Sequence, residues 1–235
     1  MKPFLYSLLL VPCLSLLLWA RPVITTAEGA AAADPSGGVA PVMPKQCQPG
    51  KTSPEAHGWR WKPGTPVRVY YLKDNFSAAE TEALSRAVNN WNEALRETGS
   101  QVSLIIGGER EGVARENGSV SVMRGMPRVK ERVGETKFYS MSNGSARVTM
   151  IINPVVTNLD ALTSLMTHEL GHSLGLADCY ECRRGTTAMA AFKSNNKGNE
   201  VYEPSVCDKY VVAAGYAAQQ EIGSQARIAA ADEQD

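Results

Sequence analysis

The segment His168-Glu169-Leu170-Gly171-His172 sets two imidazoles four residues apart, with a carboxylate beside the first. On a helix, residues i and i+4 lie about 40° apart around the axis, so both rings can reach one cation from consecutive turns. Glu169 stands about 100° round from His168, near enough to address water beside that cation without ligating it. Zinc held in this way lowers the pKa of bound water towards ~7; a neighbouring carboxylate can take the proton and later hand it to a leaving amine. The spacing therefore predicts metal-assisted hydrolysis, with His168 and His172 as ligands and Glu169 as general base and acid. The competing reading is an amphipathic helix with surface histidines that never meet metal. Against it, these are two of only three histidines in the chain.

The elements that must position this motif are legible around it. Leu159, Leu162, Met166, Leu170 and Leu174 recur at helical intervals, Thr157 or Asn158 can cap the start, and Gly175 ends the helix. Upstream, the turn Pro63-Gly64 precedes a β-branched and aromatic strand over 67–72. Ser77 and Glu80 form a capping-box pattern for a long helix carrying Leu84, Val88, Trp91 and Leu95, which Gly99 stops. Further strands are expected over 102–106, 120–123 and 147–152, with looser pairing over 137–140. This order predicts an α+β fold: a mixed twisted sheet, a long backing helix, an active-site helix and a C-terminal helix.

The motif continues as His168-Glu169-x-x-His172-x-x-Gly175-x-x-Asp178, and in this it resembles the metzincin zinc metalloproteases. Aspartate where most of that clan has histidine looks like the snapalysin type. The strand–helix–strand order and Pro204-Ser205-x-x-Asp208 before a final helix look like the matrixin branch. The resemblance implies a zincin-like catalytic domain over 47–216 with one catalytic Zn2+, hydrolysing internal bonds of a protein or peptide substrate. It implies Asp178 as third metal ligand, with His57 and Glu181 as the alternatives. Gly175 then allows the chain to swing back towards the metal. Met189, in Thr186-Thr187-Ala188-Met189-Ala190, supports the site from below. The clan's tyrosine two residues after that methionine is Ala191 here; Tyr202 and Tyr210 are the candidates to replace it. The resemblance also implies that an edge strand over 147–153 aligns substrate, and that residues 192–201 build a specificity wall. A structural Ca2+ is allowed but not indicated. The alternative function is a zincin-fold binding module with weak or no catalysis.

Lys2, the apolar run 4–19 and Ala20 describe a signal peptide over 1–20, with a cut as late as 27. A flexible leader over 21–46, rich in Ala, Gly, Pro and Ser, follows it, and 217–235 forms a polar tail. Export, secreted or periplasmic, is the expectation, with membrane attachment only if the signal stays uncleaved. Cys13 lies within the apolar run, leaving Cys47, Cys179, Cys182 and Cys207 for two disulfides with three connectivities. A structural zinc site on Cys179-x-x-Cys182 is the competing reading. A bridge near Asp178 would hold the chain reversal in place. Pro44-Lys45-Gln46-Cys47-Gln48-Pro49 vaguely resembles the cysteine switch of matrixin propeptides, one residue out of register. Lys plus Arg equals Asp plus Glu at 24 each, and aromatics make up 7%. Neither a nucleic-acid face nor an oligomer is suggested, and a monomer is expected.

Overall fold

A computed structural model describes residues 42–140, 146–191 and 201–216. The expected signal peptide, most of the expected leader, residues 192–200 of the expected specificity wall over 192–201, and the tail from 217 lie outside the described residues.

The fold is α+β. Its strands are β1 (Pro66–Leu72), β2 (Ser103–Arg110), β3 (Ser119–Arg124), β4 (Gly134–Ser140) and β5 (Ala146–Ile152). Its helices are α1 (Ala78–Glu97), α2 (Leu159–Ser173) and α3 over 206–216. The sheet runs β2-β1-β3-β5-β4. All neighbours are parallel except β4, which pairs antiparallel with β5, Gly134 opposite Ile152 and Ser140 opposite Ala146.

This order corrects the expectation that 147–153 is the edge strand. β5 lies between β3 and β4, and its run Val148-Thr149-Met150-Ile151-Ile152 is buried. A near-continuous apolar strand belongs inside a sheet with both faces covered. The edge falls instead to β4, whose polar sequence suggested only loose pairing; it is a full strand of seven residues.

Val67, Val69, Val120 and Val122 of the sheet share one buried core with Leu84, Val88, Trp91 and Leu95 of α1. The capping box forms as read: Ser77 N–H donates to Glu80 Oε2 at 2.8 Å, and Glu80 N–H donates to Ser77 Oγ at 3.3 Å. Helix α2 lies against α1, fixed by Trp91 Nε1 donating to the Thr167 carbonyl at 2.8 Å. It is buried nearly all round, from Ala161 to Gly171, rather than amphipathic with exposed histidines. A helix enclosed on every face loses the 3.6-residue contrast that sequence reading relies on. Asn158, of the two candidates, is the N-cap.

Two disulfides close the structure. Cys47 is bonded to Cys207 and Cys179 to Cys182. The first ties the N-terminal segment to α3, and it leaves Cys47 with no free thiol for the switch its flanking residues suggested. Among the described residues, no helix is long and apolar enough to cross a membrane.

Candidate metal centre

Three polar atoms converge at the C-terminal half of α2. His168 Nε2 and His172 Nε2 lie 3.1 Å apart. Asp178 Oδ1 lies 3.1 Å from the first and 3.5 Å from the second. Donors around a tetrahedral zinc at 2.0–2.1 Å stand roughly 3.3 Å from one another, so the triangle has the size such an ion needs.

The other ring nitrogens fix what this triangle can hold. His168 Nδ1 stands 2.8 Å from the Ala188 carbonyl, and His172 Nδ1 stands 2.8 Å from the Leu176 carbonyl. A carbonyl only accepts, so each Nδ1 carries a hydrogen and donates it, which leaves each neutral Nε2 with its lone pair facing inward. Two lone pairs and a carboxylate at this range repel unless a metal ion or a proton lies between them. Ring hydrogen bonds of this kind are how proteins orient metal-ligating histidines.

The electrostatics agree with that need. Burial alone would raise the Asp178 carboxyl, yet hydrogen bonds and charge from His168 and His172 hold it far below the carboxylate range. Burial would likewise lower His172, but Asp178 and Glu169 together raise it. The two carboxylates thus draw positive charge into the cluster.

Local backbone brings Asp178 to the histidines. Gly175 has φ of 95°, a left-handed conformation that costs glycine least, and a Cβ there would strike Arg60 and the Trp59 carbonyl. Beyond it the chain is gripped from two sides. His57 N–H donates to the Gly175 carbonyl at 3.0 Å, and Ala177 N–H donates to the Glu55 carbonyl at 2.7 Å. On the other side, Cys179 N–H donates to the Met189 carbonyl and Ala191 N–H to the Cys179 carbonyl, at 2.8 and 3.1 Å. The Cys179–Cys182 bridge closes the turn immediately after Asp178.

Met189 is fully buried beneath α2, where Gly171 lacks the Cβ that would meet its sulfur. Its turn is pinned by Asp208, which accepts from the Ala188 N–H at 2.9 Å and from the Thr187 hydroxyl. Asp208 also accepts from Ser205 N–H at 2.8 Å, as the start of α3 requires. The same Ala188 whose N–H is held offers its carbonyl to His168.

Glu169 is 3% exposed, and its Oε2 accepts from the Thr136 hydroxyl at 2.5 Å. It borders a cleft of about 280 Å³, shared with His168, His172, Asp178, His57, Phe138 and Tyr180. Nothing in the sequence pointed to Thr136 or Gly134 here, since a strand's alternation does not say what it faces. Glu181, weighed as third ligand, is exposed and outside the triangle. His57 is at the cleft but is not part of that triangle: its Nε2 lies 3.2 Å from the His172 carbonyl, and its ring meets Phe138 edge-on at 5.0 Å. The tyrosine lining the cleft is Tyr180, whose hydroxyl donates to Asp178 Oδ2 at 3.2 Å; Tyr202 and Tyr210 do not line it. Its position two residues after Asp178 was a readable clue.

No family model matches the chain, and no curated protein does either. Among solved structures that match is "Structure of a chaperone-substrate complex", at 14% identity over 68% of this chain and 35% of that one, with a TM-score of 0.39. Another is metalloproteinase-II from Bacteroides fragilis, at 14% identity over 71% of this chain and 57% of that one, TM-score 0.43. A third is myroilysin, at 14% identity over 67% of this chain and 95% of that one, TM-score 0.36. The chain thus spans about a third of the first and just over half of the second. Likenesses this faint leave the functional reading to the geometry of the site.

Proposed function

We propose that the protein is an exported zinc-dependent endopeptidase, its catalytic domain extending over 47–216. The observation that carries this reading is the triangle of His168 Nε2, His172 Nε2 and Asp178 Oδ1, with both Nδ1 atoms committed to carbonyls, beside a buried glutamate on an open cleft. These three groups would hold zinc, which would supply a Lewis acid to acidify water and polarise a carbonyl.

The remaining work falls to the chain's own residues. Glu169 takes the proton of the attacking water on its carboxylate and returns it to the amine that leaves. Thr136 and Gly134 hold that carboxylate from the β4 side. Ala188 and Leu176 orient the two rings, and Gly175, Met189 and the Cys179–Cys182 bridge keep the ligand loop in place. Among the described residues β4 has no second neighbour, so its free edge can pair with an extended peptide through main-chain hydrogen bonds. That supports cleavage within a chain rather than at a terminus. The two disulfides support an oxidising, extracytoplasmic location.

The test is casein hydrolysis by the purified mature protein, with and without a chelator, alongside Glu169→Ala. Activity lost in both cases, with stoichiometric zinc retained by the variant, supports the reading. Stoichiometric zinc without hydrolysis would make the chain a binding module of the same fold. Absence of zinc would dismiss the metal centre.

A further inference from the structure

Gly134, Thr136 and Phe138 occupy alternate positions of β4 and line the cleft, as does Glu135 between the first two. The first two bracket the Glu169 side chain. A Cβ at Gly134 would run into Oε1, so that oxygen rests directly on the strand backbone. Oε2 faces the Thr136 hydroxyl at 2.5 Å, while the Glu169 carbonyl stands farther from it, at 3.3 Å. A hydroxyl has one hydrogen to give, and the shorter contact takes it.

We propose that Thr136 is the positioning residue for Glu169, its hydroxyl locking the plane and direction of the carboxylate; this rests on the reading of Glu169 as the base. The terminal torsion of a glutamate is broad and roughly two-fold, so burial by itself does not fix which oxygen faces the cleft. The hydroxyl donates to Oε2 and so fixes the plane in which the remaining lone pairs of the carboxylate can receive the proton. A base held in one direction reacts from one geometry instead of sampling several. Thr136 also belongs to the strand with the free edge. Peptide pairing along β4 and the aim of the base are therefore set by one element, and the carboxylate is registered against the strand that would carry the substrate.

Thr136→Val keeps the shape and removes the donor, while Thr136→Ser keeps the donor and removes a methyl. A hydrogen bond to a charged group sets the scale, so Thr136→Val should lower kcat about 10- to 100-fold. KM should stay within about 2-fold of wild type, since the lost interaction acts in the transition state and not on substrate binding. Bound zinc should remain stoichiometric, and Thr136→Ser should restore most of kcat. Crystal structures of wild type and Thr136→Val supply a readout free of turnover: the carboxylate should leave its place against Gly134 or lose its single orientation. Unchanged kcat in Thr136→Val, equal losses in the valine and serine variants, or an unmoved carboxylate would overturn the proposal. Should the valine variant not fold, Thr136→Ala takes its place in the same comparison. If wild type shows no chelator-sensitive hydrolysis, the functional reading fails, while the crystallographic comparison still decides whether Thr136 holds Glu169.

Discussion

The carboxylate of Glu169 lies in the space that any side chain at Gly134 would occupy. A glutamate on a helix and a bare backbone position on an edge strand, 35 residues earlier by subtraction of their numbers, are thereby in direct contact.

Gly134→Ala follows from that contact. The backbone here is ordinary strand, outside the left-handed region, so alanine adds a methyl without backbone strain. The methyl must displace the carboxylate, and misplacing a catalytic group by about 1 Å typically costs on the order of 100-fold in rate. Turnover of a fluorogenic peptide should fall by that order while zinc content stays stoichiometric. Wild-type kcat in this variant would show that the carboxylate does not work from beside the strand.

Asp178→Asn removes a charge at nearly constant size. Zinc affinity should fall by at least about 10- to 100-fold, the loss typical of groups that merely support ligands. Competition with a fluorescent chelator measures it. Glu181→Gln, an exposed neighbour outside the triangle, is the control and should bind zinc as wild type does; the opposite ranking would transfer the ligand role to Glu181.

The two disulfides should contribute unequally. Cys47–Cys207 spans a sequence separation of 160 and Cys179–Cys182 a separation of 3. By loop-closure entropy the first stabilises the fold by about 5 kcal/mol and the second by about 1–2 kcal/mol. Paired serine substitutions at 47 and 207 should therefore lower the guanidinium midpoint strongly. Substitutions at 179 and 182 should show chiefly as faster zinc loss, because that bridge braces the turn beside Asp178. Equal shifts in midpoint from both pairs would contradict this division.

Acid should act on the start of α1. Burial would raise the Glu80 carboxyl, but Ser77 N–H and the Arg124 guanidinium overcome it and set its pKa below the ordinary 4.5. A depressed carboxyl stabilises the fold fully above its unfolded pKa, and this stability is lost as pH falls through the folded value. Thermal melts of wild type should therefore drop below about pH 4.5, and Glu80→Gln should flatten that drop while lowering stability at neutral pH. A parallel pH dependence in the two proteins would remove Glu80 from the acid response.

Local chemistry was legible where neighbours in sequence do the work. The Ser77–Glu80 capping box, the α1 stripe of Leu84, Val88, Trp91 and Leu95, and a cap for α2 at Thr157 or Asn158 each depend on groups within one or two turns. So does the pairing of His168 with His172, which helical pitch alone brings together at 3.1 Å. The left-handed turn at Gly175 followed from glycine's freedom at positive φ.

Tertiary structure decided what depends on distant segments meeting. Alternation along β4 and β5 does not say which strand has a free edge, because strand order arises from pairing across the sheet. Four cysteines allow three pairings, and only packing brings Cys47 to Cys207. Thr136 and Gly134 reach Glu169 because β4 packs against α2, and His57 reaches the cleft because residues 55–57 pair with 175–177. The sequence by itself determined the cation-ready helix, since every group in it is set by one helical turn. The direction in which its glutamate points was left to the sheet, because burial on a helix fixes a side chain's place but only a partner from elsewhere fixes its aim.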